Sequence, residues 1–427
     1  MSNEELFAGI DSLVYTLNNK KVKSINFDNA ATTPPLKCVL DEIVGLSNYY
    51  ASIGRGVGQK AEITTRLYNM SREYLLNYFN VKEKEKYTVV YVANTTDGIN
   101  KLSRILIKSK KDMVLSTRME HHSNDLPWRK VCNVEYVEVD EKGRLLIDDL
   151  EYKLLKYKDR IKYVTVTGAS NVTGYKNDIH NIAKVVHSYG AKLIVDGAQL
   201  VPHVHVDISG SSKDEQIDFL VFSAHKLYAP FGAGAIIGLK EEFNNTIFDN
   251  QGGGTVSIVN DKSVTYLDSP ERNEAGTPNF FGVIAMVTAL KKIESLDLKL
   301  LEKEEKLLKK KLIDGLRKIP KVRIYGDYDN IEDSLGITVF NIDSIYHENV
   351  ANILAKNYGI AVRQGWFCAH PYCRRLMHLT EKAANAFIHD VKARMPGMIR
   401  VSFGIYNNER EVETFLNAIN EISRFYG

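Results

Sequence analysis

Five short apolar runs, each closing on polar or glycine-bearing residues, constrain this chain more than any other feature. They are YTVVYVANTTDG (87–98), DMVLSTRMEHHSN (112–124), IKYVTVTGASNVTG (161–174), AKLIVDGAQ (191–199) and DFLVFSAHK (218–226). Their apolar residues are nearly continuous rather than alternating, the pattern of strands covered on both faces. Helix-sized segments such as 176–189 lie between them, so the order predicts βαβ units building a mostly parallel sheet with helices on both faces. Ligands of such sheets gather beyond the carboxyl ends of the strands. The polar residues that close each run are therefore the candidates for chemistry.

After about residue 280 the pattern changes. Segment 298–319 carries Leu300, Leu301, Leu307, Leu308, Leu312 and Leu316 at helical spacing among lysines and glutamates, which predicts a long linker helix with a solvated, charged face. Strands are expected near 322–326 and 335–343, and helices near 347–357 and 380–393. A closing helix starts at Asn408, with Glu411 as capping partner and Val412, Phe415, Leu416 and Ile419 on one face. This reads as a smaller α+β domain. With 427 residues the chain has room for two domains.

Composition excludes several function classes. A net charge of +3 is too small to argue for nucleic acid or an anionic membrane. No run approaches the length of a membrane span, and the acidic start MSNEELFAGI lacks the basic-then-apolar order of a signal peptide. The four cysteines, Cys38, Cys132, Cys368 and Cys373, form neither a disulfide framework nor paired metal-binding spacing. A reducing cytoplasm and no bound metal are the expectations. No GxGxxG follows the first strand, so a dinucleotide fold is set aside.

The strand ends carry a coherent set of groups. Lys226 follows an apolar strand directly, where a partly desolvated amine can lose its proton and form a Schiff base with an aldehyde. Ser223 and His225 are spaced to hold an anion beside it. Asp196 closes another strand, either as a turn residue or as the carboxylate that keeps a pyridine nitrogen protonated. Gln199, three residues on, suits a ring oxygen. Thr95 and Thr96 precede a helical segment, as a plain cap or as a phosphate site. His121 follows another strand, either as a structural loop residue or as an imidazole that stacks on a flat ring. Together these match the needs of pyridoxal 5′-phosphate.

At this point the chain resembles the class V aminotransferase-fold enzymes of the cysteine desulfurase group, nearer their selenocysteine lyase-like branch. The likeness is carried, in the family's order, by FDNAATTPP (27–35), GRGVG (54–58), NTTDGIN (94–100), MEHHSN (119–124), SNVTG (170–174), DGAQLVPH (196–203), FSAHKLYAPFGAG (222–234), EAGTPN (274–279), YGIAVRQGWFCAHP (358–371) and IRVSFGIYNN (399–408). The resemblance implies an α/β architecture of fold type I: a mostly parallel, seven-stranded-type sheet domain over 25–285. A smaller domain would comprise 1–24 and 286–427. It implies that Lys226 holds the cofactor, Asp196 pairs with its ring nitrogen, Gln199 with its phenolic oxygen, and His121 stacks on the ring. Thr95, Thr96, Ser223 and His225 would bind its phosphate, and Thr277 would reach the phosphate of a neighbouring subunit, making a homodimer. Asn171, Arg400, Arg363 and Ala30 would hold the amino-acid substrate.

In that family a small-domain cysteine takes sulfur from substrate cysteine and becomes a persulfide, to be passed to an acceptor protein. Cys368, five residues after Arg363, has the spacing of the lyase-like branch. Arg363 or His370 would raise its thiolate fraction. This chain departs from the family where Trp366 and Phe367 replace two histidines, and where Asn94 and Ala224 replace glycines. Cys373 is either a packed thiol or a resolving thiol for Cys368. The expected activity is cysteine desulfurase; the alternatives are a cofactor-dependent C–S lyase or aminotransferase for another amino acid, and a non-catalytic sulfur-carrier scaffold.

Overall fold

The computed structural model describes residues 3–54, 56–158, 160–244, 250–389 and 394–425. Its largest sheet has seven strands: β1 (Tyr87–Val92), β2 (Met113–Thr117), β3 (Asn133–Val137), β4 (Ile161–Thr167), β5 (Lys192–Asp196), β6 (Phe219–Ser223) and β7 (Gly234–Leu239). They lie in the spatial order β1-β7-β6-β5-β4-β2-β3. β7 is antiparallel to both neighbours, and the other pairings are parallel. All five apolar runs form strands of this sheet.

Neighbouring residues on a strand point to opposite faces, and here both faces are apolar. Val89, Leu220 and Ile237 pack into a core with Leu75, Val283, Met286 and Leu290. Val90, Val221 and Ile236 pack on the other side with Ile99, Leu102 and Trp128. Covering both faces explains why these strands read as continuous apolar runs.

Two strands were not among the runs that the sequence marked. The edge strand β3 is mostly half-exposed and mixes polar with apolar residues. β7 carries Gly234 and Gly238, which weaken its strand signal, yet packing requires them. A Cβ at Gly234 would stand 2.5 Å from the Phe222 carbonyl oxygen, and one at Gly238 would stand 2.4 Å from the Phe219 ring.

A second, antiparallel sheet follows. Strands β8 (Val322–Tyr325), β9 (Ile337–Ile342), β10 (Arg363–Gly365) and β11 (Met398–Ser402) lie in the order β8-β9-β11-β10. Its core joins Phe340 and Val401 to Leu312, Phe415 and Ile419, and takes Phe27 from the amino-terminal segment. The helix Leu298–Leu316 corrects one expectation. Leu308, Leu312 and Leu316 are buried, but Leu300 and Leu307 are about half exposed. Lys309, expected on the solvated face, is 4% exposed. It donates to Ser334 Oγ (2.8 Å) and to the carbonyls of Leu335 (2.9 Å) and Thr173 (3.3 Å).

The helix expected near 347–357 is His347–Ile353 plus a wider turn, Leu354–Tyr358. The one near 380–393 is Glu381–His389; residues 390–393 lie outside the described residues, as does Arg55 of GRGVG. The closing helix is Glu409–Phe425. Asn408 Oδ1 accepts from the Glu411 N–H at 3.1 Å, and Glu411 Oε2 accepts from the Asn408 N–H at 3.3 Å, a reciprocal cap. Asn408→Ala is expected to cost about 1 kcal/mol, seen as a lower urea midpoint with an unchanged slope. Among the described residues no helix is long and apolar enough to cross a membrane.

Candidate active site

The carboxyl ends of β1, β2, β4, β5 and β6 open on one cavity of about 260 Å³. It collects Thr95 and Thr96 from beyond β1, His121 from beyond β2, Asn171 from beyond β4, Asp196 from the end of β5 and Gln199 from beyond it, and Ser223 from the end of β6 with His225 and Lys226 from the turn after it. The antiparallel sheet contributes Arg363 and Arg400, the turn after β10 contributes Cys368, and the amino-terminal segment contributes Ala30. Thr277 is exposed and outside this cavity. Asn94, Ser123, Thr167 and Phe367 also line it; sequence reading assigned them no part there, although Ser123 lies within MEHHSN.

The helix Thr95–Leu106 starts at the cavity wall. Asn94 is extended (φ −172, ψ 178) and its side chain accepts from the Asp97 N–H, capping the helix. This accounts for a residue other than glycine at position 94, since an extended backbone suits any side chain. Thr95 donates its N–H to Ser223 Oγ at 2.7 Å, and the two hydroxyls are also 2.7 Å apart. The hydroxyls of Thr96 and Ser123 pair at 2.6 Å. A helix start ringed by hydroxyls is a site for an anion.

Lys226 ends the single turn that follows β6. Burial, aided by Arg400 and Arg363, outweighs the opposing charges of Asp196 and Cys368 and lowers its amine to about 8. Burial raises the Asp196 carboxyl above its ordinary value, against the Ala198 N–H and Lys226. The Ala198 N–H donates to Asp196 Oδ1 at 2.9 Å. His121 Nδ1 accepts from the Ser123 N–H at 3.1 Å and pairs with its hydroxyl at 2.9 Å, which fixes the ring. Burial and the Lys226 charge push His121 down to about 3, and the same two causes push His225 down to about 4, so both rings are neutral at neutral pH. Gln199 Nε2 donates to the Ala30 carbonyl at 2.7 Å, leaving its second N–H available.

Beneath His121 lies Glu120, a group that sequence reading passed over. It is buried and accepts from Thr117 Oγ1 (2.6 Å), Asn124 Nδ2 (2.5 Å) and the Thr167 N–H (2.9 Å). These bonds tie the loop after β2 to β4.

On the small-sheet side, Arg400 is 3% exposed. Its guanidinium donates to the Asn171 carbonyl (2.8 Å) and to Asp28 Oδ1 (3.2 Å), and lies 5.1 Å from the centre of the Phe367 ring. Arg363 approaches the same Asp28 at 3.6 Å. Asn171 Nδ2 donates to the Phe367 carbonyl at 2.7 Å, so its amide is committed to the cysteine turn. Trp366 and Phe367 are buried among Met119, Val172, Val339 and Met398, and Trp366 Nε1 donates to the Pro396 carbonyl. The two aromatics thus anchor the turn, leaving Cys368 exposed at the cavity. Cys373 is a packed thiol: fully buried, it donates to the Trp366 carbonyl at 3.2 Å, and burial pushes its titration far up.

A mostly parallel sheet with its cavity at the strand ends, flanked by a small antiparallel sheet, defines a fold type I enzyme scaffold. The Aminotransferase class-V family description matches residues 25–415, and the chain belongs to that family. It is 32% identical over 412 residues to the probable cysteine desulfurase of Pyrococcus abyssi, covering 93% of this chain and 94% of that protein. It is likewise 32% identical over 413 residues to the cysteine desulfurase of Cronobacter sakazakii, covering 94% and 93%. The apo structure of cysteine desulfurase from Thermococcus onnurineus NA1 superposes with a TM-score of 0.82 at 30% identity, over 94% of this chain and 95% of that one.

Proposed function

We propose that the chain is a pyridoxal 5′-phosphate-dependent cysteine desulfurase, converting L-cysteine to L-alanine and leaving the sulfur as a persulfide on Cys368. The observation that carries this reading is that Cys368 shares one cavity with Lys226 and Arg400. The activity named for the relatives supports it.

The residues fit the cofactor. Lys226 Nζ has no hydrogen bond among the described residues, and Asp196 has a partner on only one carboxylate oxygen. An amine without a partner and a half-paired buried carboxylate are costly unless something completes them. Lys226 would hold the aldehyde carbon, Asp196 the ring N–H, Gln199 the phenolic oxygen, and neutral His121 the ring face. Thr95, Thr96, Ser223 and His225 would hold the phosphate. When bound, the cofactor supplies an electron-withdrawing ring that makes the substrate sulfur a leaving group.

Arg400, with the second amide N–H of Asn171, would hold the substrate carboxylate, and Arg363 and Ala30 would contact the rest of the substrate; Arg400 Nε is buried without a partner. Cys368 then takes the sulfur. A carbon–sulfur bond of the substrate breaks, a sulfur–sulfur bond forms at Cys368, and a proton ends on the substrate carbon. Cysteine plus thiol equals alanine plus persulfide, so no outside oxidant is needed. We further read Thr277 as serving the phosphate of a second copy in a homodimer. An acceptor protein would receive the persulfide sulfur, and the chain would divide into 25–285 and 1–24 with 286–427.

Arg400→Gln removes a charge-assisted carboxylate partner. It is expected to raise KM for cysteine on the order of a hundredfold while the bound cofactor keeps its visible absorbance. Product analysis of the holoenzyme with L-cysteine tests the function: alanine supports it, whereas pyruvate and ammonia would make the protein a C–S lyase.

A further inference from the structure

The turn that presents Cys368 is backbone-strained. Phe367 and Cys368 both lie in the left-handed region, with φ of 49 and 52, a conformation that residues with a Cβ hold only when their surroundings enforce it. Three hydrogen bonds from the large-sheet loops grip three peptide groups of this turn. Asn171 Nδ2 donates to the Phe367 carbonyl at 2.7 Å, and the His122 N–H donates to the Cys368 carbonyl at 2.7 Å. The His370 N–H donates to His122 Nε2 at 3.3 Å. Two of the three come from His122, a residue to which the mechanism above gives no task. Its ring centre lies 4.6 Å from that of His370, which also meets Trp366 at 5.0 Å.

An imidazole nitrogen that accepts a hydrogen bond carries no proton, so neutral His122 holds its proton on Nδ1. A doubly protonated ring offers the His370 N–H no lone pair. We infer that His122 is a positioning residue, its neutral imidazole supplying the one titratable bond of the three that latch the Cys368 turn at the cavity, so that protonation of the ring loosens the hold on the thiol. The consequence for catalysis rests on the sulfur-transfer role proposed for Cys368; the latch does not.

The titratable and charged groups around His122 are His370 on the turn, His121 beside it at 6.4 Å between ring centres, and Asp125 and Arg129 just beyond it in sequence. Burial lowers His122 below its ordinary value; His370 and Arg129 add to this, and Asp125 opposes it. A lowered folded value means that the latch is complete above about pH 6.5, and that its imidazole bond is lost as pH falls further, through that lowered value.

Hydrogen–deuterium exchange of the holoenzyme over peptide 366–373, corrected for intrinsic rates, tests this. Wild-type protection is expected to fall about five- to tenfold between neutral and acidic pH. His122→Gln keeps an acceptor that cannot titrate, and should stay protected at both. His122→Phe should show the lower, acid-like protection at both, since it keeps the backbone N–H bond to the Cys368 carbonyl but loses the ring acceptor. Wild-type protection that ignores pH, a Gln variant that keeps the wild-type pH step, or a Phe variant as protected as wild type would each overturn the latch. If the Phe variant fails to fold, the first two comparisons decide. Alanine release on the same samples separates the two readings: a latch without alanine sinks the desulfurase and spares the latch, and alanine without a latch does the reverse.

Discussion

Lys226→Ala is expected to lower turnover of L-cysteine by about a thousandfold or more, and to leave the protein without a covalently held cofactor. The size of the effect follows from the position. Lys226 closes β6 at the cavity with its amine lowered to about 8, within reach of the neutral form that a Schiff base requires. The substitution is not expected to damage the fold, because the amine makes no hydrogen bond among the described residues. Borohydride reduction followed by peptide mapping checks it: wild type should carry a pyridoxyl adduct at Lys226, and the variant none. Arg would be a poor substitute, since its guanidinium does not lose its proton.

Cys368→Ala should keep the bound cofactor and its visible spectrum, yet lower alanine release on the order of a hundredfold or more. Cys368 is exposed on a turn whose aromatic anchors are buried, so removing its sulfur leaves the scaffold in place. Cys373→Ala provides the contrast. Its thiol is buried and bonded to the Trp366 carbonyl, so the expected loss is in stability, with the alanine produced per folded molecule retained. A Cys368→Ala protein that releases alanine at the wild-type rate would remove the persulfide from the account.

Much of this site was legible because the fold places function at strand ends. Thr95, His121, Asp196, Ser223 and Lys226 each close an apolar run, and the rule that parallel sheets bind ligands at their strand ends brings them together from sequence alone. Arg400, Arg363 and Cys368 were reached only through the likeness to a family. Their strands are short, and nothing in their local pattern states that β10 and β11 face the large sheet's cavity.

What escaped the sequence was mostly interior polarity. Glu120 looks like any strand-end carboxylate until its three donors are seen. Lys309 looks like one more cation on a charged helix until its acceptors on Thr173, Ser334 and Leu335 are found. Such bonds join residues far apart in the chain, and helical periodicity carries no record of them. Trp366 and Phe367 read as departures from the family's two histidines; in the structure they are buttresses, and two imidazoles, His122 and His370, meet at the cysteine turn from other positions.

A single-turnover incubation of holoenzyme with L-cysteine, followed by peptide mass mapping without reductant, bears most directly on the central claim. The account predicts that the peptide containing Cys368 gains the mass of one sulfur atom, in step with one alanine per active site. Alanine or pyruvate formed while Cys368 stays unmodified would contradict it.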